Sequence, residues 1–162
     1  QKTPFHPAPV ELVEMVTHLA DDLSPRLKEA QLEMVVTGDS EVTAWADRHA
    51  TERILANLLD NAIKYSDPVG EIRIEVKQTK DRALVDIQDQ GIGIPAEDQP
   101  HIFERFYRVD RARSRSLGGT GLGLSIVKHL LQSMGGDIHV SSKPGAGSCF
   151  HFSLPCQKQG AT

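Results

Sequence analysis

Three polar side chains recur at helical spacing in NLLDNAIKYS, residues 57–66. Asn57, Asn61 and Lys64 are four and three residues apart, so a helix would place them along one line of its surface. Carboxamide oxygens can coordinate a hard cation such as Mg²⁺ without adding negative charge, and a lysine can bind phosphate oxygens. The spacing therefore indicates a site for a metal-bound polyphosphate. A solvated helix flank is the alternative for these residues considered alone.

A second motif, DIQDQGIGIPAED, follows a predicted strand and covers residues 86–98. Gly91 and Gly93 would let a planar ligand approach the backbone, and Asp89 could accept a hydrogen bond from an exocyclic amine. An ordinary glycine-rich turn is one alternative. Another is the G-x-G-x-x-A fingerprint of dinucleotide sites, with Asp110 near the expected acidic position. That reading needs a helix starting at the glycines, which the nearby prolines disfavour.

A third motif, GGTGLGLSIVK, precedes an apolar helical pattern and covers residues 118–128. Its glycines leave backbone N–H groups accessible next to the positive end of a helix, which is a favourable place for an anion. The motif is not a P-loop, because the required Gly-Lys pair is absent and Lys128 lies inside the helix. A flexible hinge is the alternative.

An arginine-rich segment, IFERFYRVDRARSRSL, lies between the two glycine motifs. Its aromatic and aliphatic residues are expected to anchor one end of a lid; they are Ile102, Phe103, Phe106 and Tyr107. Guanidinium groups bind polyphosphate bidentately, and five occur here: Arg105, Arg108, Arg111, Arg113 and Arg115. Arg108 is the first candidate for a phosphate contact, and a solvated loop is the alternative.

Hydrophobic periodicity predicts the elements that carry the first motif. A helix is expected from Val10 to Ala30, interrupted at Pro25. Two alternating runs separated by TGDS, at residues 32–36 and 42–46, predict a short antiparallel pair. Asp47 is then expected to cap a helix that ends at about Tyr65.

The second half of the chain reads as strands around one more helix. Strands are predicted at residues 72–76 and 83–87, a short helix at PHIFERFY, and a helix from Leu122 to Met134 that ends at a Gly-Gly pair. Two final strands, DIHVSS and SCFHFSL, are joined by KPGAG. These patterns predict an α+β fold, a two-layer α/β sandwich whose mixed, mostly antiparallel sheet is covered on one face by helices.

Composition restricts the class of protein. The 162 residues suffice for one domain, and the net charge of −4 argues against a nucleic-acid binder. No apolar run is long enough for a membrane helix, and no signal peptide is recognisable. The two cysteines and seven histidines show no spacing typical of a disulfide framework, metal site or catalytic triad. A reducing, cytoplasmic location is expected.

The motifs together resemble the catalytic, ATP-binding domain of bacterial two-component sensor histidine kinases, members of the GHKL ATPase superfamily. NLLDNAIKYS resembles the N box, DQGIGIP the first glycine box, IFERFYRVD the F box, and GGTGLGLSIVK the second glycine box. GAGSCFHFSLP resembles the closing strand. The resemblance covers nearly the whole chain.

The resemblance implies Mg²⁺ and ATP as cofactors and a role for each matching residue. Asn61 would coordinate Mg²⁺ with support from Asn57, and Lys64 and Tyr65 would lie beside the phosphates. Asp89 would bind the adenine amino group. The remaining nucleotide contacts would come from the glycine boxes and the lid, namely Gly91, Gly93, Ile94, Arg108, Gly119, Thr120, Gly121, Leu122 and Gly123. Asn57, Asn61, Lys64 and Arg108 would be the catalytic residues.

The resemblance also implies partners. The phosphoacceptor histidine would lie in a separate helical dimerisation domain of the same parent protein, and a response regulator would receive the phosphoryl group. The expected organisation is a linker at residues 1–9, the ATP-binding domain at 10–156 and a tail at 157–162, in a monomeric fragment of a longer kinase. Another GHKL ATPase, an anti-sigma-type serine kinase and a silent nucleotide-binding module are the alternatives.

Overall fold

Alternating side chains divide the main sheet into a covered face and an open face. The computed structural model describes residues 5–107 and 123–156. In the strand that contains them, Ile72, Ile74 and Val76 are almost completely buried. Arg73 and Glu75, which alternate with them, are exposed. A period of two therefore directs the apolar side chains towards the core.

The elements within the described residues are as follows. The strands are β1 Pro7–Glu11, β2 Leu32–Gly38, β3 Thr43–Asp47, β4 Gly70–Thr79, β5 Arg82–Gln88, β6 Asp137–Ser142 and β7 Ser148–Pro155. The α-helices are α1 Leu12–Asp22, α2 Ser24–Glu29, α3 Arg48–Tyr65 and α4 Gly123–Ser133, and a 3₁₀ helix covers Gln99–His101.

The strands form a five-stranded sheet in the order β2-β4-β5-β7-β6 and a two-stranded sheet of β1 and β3. Among the strands of the described ranges, only the β2–β4 pair is parallel. Helix α3 contacts α4 and β5, α4 contacts β6, and α1 contacts β2. The predicted α+β sandwich with a mixed, mostly antiparallel sheet is confirmed.

The predicted hairpin between residues 32–36 and 42–46 is wrong in its pairing, although both strands exist. β2 pairs in parallel with β4, and β3 pairs with β1. A parallel pair needs a long crossover connection, which the 18-residue helix α3 provides. At the end of β2, Gly38 has a φ of 127°, and a Cβ there would lie 2.1 Å from the Val76 carbonyl oxygen.

The predicted helix from Val10 to Ala30 begins later and is divided. Residues Pro7–Glu11 form strand β1, and α1 begins only at Leu12. Prolines obscure this strand in the sequence, but they are tolerated at the edge of a sheet. The predicted break at Pro25 is confirmed, because Pro25 lies in the first turn of α2.

Several local predictions are confirmed. The Asp47 side chain accepts the backbone N–H of Ala50 at 2.8 Å, and α3 ends at Tyr65. Gly135 adopts a φ of 79° just after α4.

The short helix expected at PHIFERFY is only the 3₁₀ turn. Both cysteines are free thiols, and none of the described helices is long and apolar enough to cross a membrane.

Candidate functional site

Helix α3 presents its polar stripe beside a fully apolar face. Asn57, Asn61 and Lys64 are half-buried, whereas Ile54, Leu55, Leu58 and Leu59 are at most 1% exposed. Within the described ranges neither carboxamide has a hydrogen-bond partner. Two half-buried amides that no described protein group satisfies are suited to bind a ligand.

Lys64 has an acidic partner on its own helix. Its ammonium nitrogen lies 3.1 Å from Oδ2 of Asp60, four residues earlier. The other oxygen of Asp60, Oδ1, lies 2.9 Å from Nη1 of Arg26 in α2. The cation at the end of the stripe is therefore held in a short chain of charges that begins on a neighbouring helix.

Asp89 is a buried carboxylate at the end of β5, with 6% of its surface exposed. Its Oδ1 accepts the backbone N–H of Gly91 at 3.0 Å and that of Ser148 at 3.1 Å. Burial raises the pKa of Asp89 above its usual value, although these two hydrogen bonds oppose the shift. Both recorded bonds use Oδ1, so within the described residues Oδ2 is available to accept from a ligand.

The C-terminus of α3 is joined directly to the loop after Asp89. Ser66 forms an isolated antiparallel bridge with Gly91, and Ile92 donates its backbone N–H to the Tyr65 carbonyl at 3.3 Å. A Cβ on Gly91 would lie 2.0 Å from that carbonyl oxygen. The end of the helix that carries the asparagine stripe therefore lies next to the loop that follows the buried carboxylate, although the two are far apart in the sequence.

Gly91 and Gly93 are required by packing of the protein itself. A Cβ on Gly93 would lie 2.0 Å from the Lys143 carbonyl oxygen, and its φ is 74°. Gly145, in the β6–β7 turn, donates its backbone N–H to Ile92 at 2.7 Å. The glycines thus let the loop fit between α3 and this turn, and their contact with a planar ligand stays a prediction.

Two polar side chains hold the far end of this loop. Gln99 Nε2 donates to the carbonyl oxygens of Ile94, at 2.9 Å, and Ser142, at 3.0 Å. The Ser142 hydroxyl accepts the backbone N–H of Ile94 at 2.8 Å and lies 2.8 Å from the Ser148 hydroxyl. The loop therefore has a fixed path relative to β6 and β7.

The start of the arginine-rich segment is anchored as predicted, with one exception. Ile102 is buried, and Phe103 packs edge-on against Phe150 with ring centroids 6.3 Å apart. Tyr107 donates its hydroxyl to Asp98. The expectation that Phe106 shares this anchor is wrong, because it is 64% exposed and has a φ of 66°. A pattern of aromatic residues does not reveal which ring the backbone turns outwards.

Only residues 123–128 of the second glycine motif are among the described residues, and they form the first part of α4. Gly123 is the first described residue of this helix, and a Cβ there would have no atom of the described residues within 4 Å. The predicted phosphate contacts Arg108, Gly119, Thr120, Gly121 and Leu122 lie outside the described residues. Space beside Gly123 is consistent with a ligand at this helix end, because the first N–H groups of a helix lack intrahelical partners.

The residues of this site fit a magnesium-bound nucleotide. Carboxamide oxygens and an ammonium occupy one end of the site, and a buried acceptor occupies the other. Between them, the Ser66 hydroxyl is buried and has no hydrogen-bond partner in the part of the chain that the structure describes. A buried polar atom without a partner usually serves a ligand or an ordered water. Ser66 was not predicted as a site residue. The sequence feature that could have identified it is its position directly after the polar stripe.

Sequence comparison finds similarity to one ATPase family over most of the chain. Residues 46–158 match the family described as Histidine kinase-, DNA gyrase B-, and HSP90-like ATPase. The sensor histidine kinase WalK of Bacillus subtilis is 36% identical over 153 residues, which cover 93% of this chain and 25% of WalK. The chain spans about a third or less of the curated relatives it matches.

Solved structures show the same architecture. The mycobacterial sensor histidine kinase MprB is 30% identical with a TM-score of 0.81, covering 95% of this chain and 100% of that one. Full-length ShkA, solved in complex with AMPPNP, is 28% identical with a TM-score of 0.84, covering 99% of this chain and 33% of ShkA. The similarity therefore extends to β1 and α1, which precede the matched family region.

Proposed function

Because this chain belongs to the histidine kinase-, DNA gyrase B- and HSP90-like ATPase family, we propose that it binds Mg-ATP and donates the γ-phosphate to a histidine of a separate phosphoacceptor domain. Its similar proteins are sensor histidine kinases. One observation carries the proposal: the Ser66–Gly91 bridge joins the amide stripe of α3 to the buried carboxylate Asp89. The site thus offers metal and phosphate ligands at one end and an adenine acceptor at the other.

Each residue has a role in this proposal. Asn61 holds the metal with support from Asn57, and Mg²⁺ when bound neutralises charge on the phosphates. Lys64 and Tyr65 lie beside the phosphates, and Arg108 reaches them from the lid. Asp89 accepts a hydrogen bond from the adenine amino group.

The remaining contacts come from the two glycine boxes. Gly91, Gly93 and Ile94 border the base, and the phosphates lie against the segment that comprises Gly119, Thr120, Gly121, Leu122 and Gly123. Phosphoryl transfer depends mainly on positioning and on neutralising charge, which these residues supply.

The partners follow from the same proposal. The acceptor is a helical dimerisation domain of the same parent, which passes the phosphoryl group to a response regulator. Use of ATP implies the cytoplasm as the compartment. The catalytic domain was expected at residues 10–156 after a linker at residues 1–9, but its first strand, β1, already begins at Pro7. We therefore place the start of the domain at Pro7 and keep residues 157–162 as the tail.

The test is phosphoryl transfer in trans. The chain is incubated with γ-labelled ATP, Mg²⁺ and a separately purified helical phosphoacceptor domain of a sensor histidine kinase. We expect acid-labile phosphate on the acceptor and little on this chain. Release of free phosphate without labelled acceptor favours another GHKL ATPase, and acid-stable phosphate on an acceptor serine favours an anti-sigma-type kinase. Either result would overturn the assignment as a histidine kinase.

A further inference from the structure

Asp60 lies at the edge of the polar stripe, on the side away from Asn61. Successive helical residues turn by about 100°, so Asp60 lies about 60° to one side of Asn57 and Asn61 about 40° to the other. The Lys64 ammonium is 3.1 Å from Asp60 Oδ2. In this arrangement the lysine is drawn away from the asparagines that would hold the metal beside the phosphates.

We propose that Asp60 competes with the phosphates of ATP for Lys64, and that Arg26 sets the strength of this competition. This inference rests on the proposed function, because it assumes that Lys64 binds phosphate. Oδ1 of Asp60 is paired with Arg26 at 2.9 Å, which neutralises part of the carboxylate charge. Without Arg26, Asp60 would hold Lys64 more strongly and would repel the triphosphate more strongly.

The size of the effect follows from exposure. The side chains of Asp60 and Arg26 are 39% and 44% exposed, and that of Lys64 is 24% exposed. Ion pairs this accessible to solvent are weak, so ATP can displace Asp60 from Lys64. A change of about two- to fivefold in ATP affinity is expected, since such pairs contribute at most about 1 kcal/mol.

Arg26 makes this competition sensitive to helix α2. Arg26 lies on the six-residue helix α2, and Asp60 lies on α3. A displacement of α2 that separated Arg26 from Asp60 would weaken ATP binding without a change in any residue that touches the nucleotide. Asp60 and Arg26 are therefore positioning residues for Lys64.

The experiment is a double-mutant cycle of Asp60→Asn and Arg26→Gln, measured by calorimetry with Mg-ATP and with adenosine at low salt. Asp60→Asn should bind Mg-ATP about two- to fivefold more tightly than the wild type, with adenosine binding unchanged. Arg26→Gln should weaken Mg-ATP binding when Asp60 is present and should have no effect in the Asp60→Asn background. A general loss of positive charge would weaken binding equally in both backgrounds.

The matched control is Glu52→Gln, which removes the exposed i,i+4 pair with Arg48 at 3.6 Å from the same helix; Mg-ATP affinity should not change. Weaker or unchanged Mg-ATP binding in Asp60→Asn, or equal effects of Arg26→Gln in both backgrounds, would overturn this inference alone. A wild-type chain that does not bind Mg-ATP would overturn the proposed function with it.

Discussion

Gly91 donates its backbone N–H to Oδ1 of the buried Asp89 at 3.0 Å. A carboxylate with 6% of its surface exposed is costly to ionise, and two backbone donors offset only part of that cost. The chain therefore has a carboxyl group whose ionisation opposes folding at the position where the proposed function needs an adenine acceptor. Such conflicts between stability and activity are typical of functional sites.

The first prediction concerns Asp89→Asn. An asparagine Oδ1 can still accept both backbone bonds, but its amide donor would face the adenine amino group. ATP affinity should fall about 10- to 100-fold, the range for a lost hydrogen bond to a charged group. Calorimetry with Mg-ATP measures the loss, and unchanged affinity would contradict the role of Asp89.

The same variant tests the raised pKa of Asp89. A carboxyl group whose folded pKa exceeds its unfolded value stabilises the fold fully only below the unfolded pKa, near 3.8, and loses this contribution as pH rises through the folded pKa. Asp89→Asn should therefore be more thermally stable than the wild type at neutral pH. The difference should disappear as the pH falls to about 3.8. Thermal melts across this range measure it, and a variant less stable at neutral pH would contradict the account.

The second prediction concerns Asn61→Ala. The Asn61 carboxamide has no hydrogen-bond partner within the described part of the chain, so its removal should leave the fold intact. Affinity for ATP in the presence of Mg²⁺ should fall roughly tenfold or more, whereas affinity without the metal should change little. Gln132→Ala, which removes an exposed carboxamide from α4, is the control. Equal losses with and without Mg²⁺ would exclude metal coordination by Asn61.

The third prediction compares two glycines. Gly91→Ala places a Cβ 2.0 Å from the Tyr65 carbonyl oxygen, whereas Gly123→Ala places one more than 4 Å from every atom of the described residues. Gly91→Ala should destabilise the fold by about 1–3 kcal/mol through overpacking. Gly123→Ala should fold at least as well as the wild type, because alanine favours a helix, yet it should weaken ATP binding at the start of α4. Urea unfolding and calorimetry separate these effects, and the opposite ranking in stability would contradict the packing described for these glycines.

The fourth prediction concerns Asp47, which caps α3 and also accepts the backbone N–H of His6 at 2.8 Å. Asp47→Ala should destabilise the fold by about 0.5–2 kcal/mol. Burial opposes ionisation of Asp47, but the hydrogen bonds from His6 and Ala50 hold its pKa below the usual value. Its ionic contribution is therefore present above the unfolded pKa and is lost as pH falls through the folded pKa.

Asp47→Asn, which keeps an acceptor for the cap, is the comparison variant for this effect. Its deficit in stability relative to the wild type should shrink as the solution is acidified below about pH 3.8. A deficit that stays constant with pH would show that the charge of Asp47 does not contribute to stability.

The parts of the molecule that the sequence predicts well depend on local periodicity. The Asp47 cap, the stripe of Asn57, Asn61 and Lys64, and the final hairpin all follow from residues a few positions apart. The parallel pairing of β2 with β4 is non-local, so a turn signal at TGDS was misleading. The roles of Ser66 and Asp60 depend on the burial of the Ser66 hydroxyl and on the contact between Asp60 and Arg26. Residue spacing in the sequence indicates neither of them.

We propose that the amides of α3 and the buried Asp89 bind one magnesium-bound adenine nucleotide. The most direct measurement is a calorimetric titration of the wild-type chain with ATP and with GTP, each with and without Mg²⁺. We expect saturable binding of ATP that strengthens with Mg²⁺, and much weaker binding of GTP, which carries an oxygen where adenine carries its amino group. Equal affinity for both nucleotides, or no binding of ATP, would contradict the account.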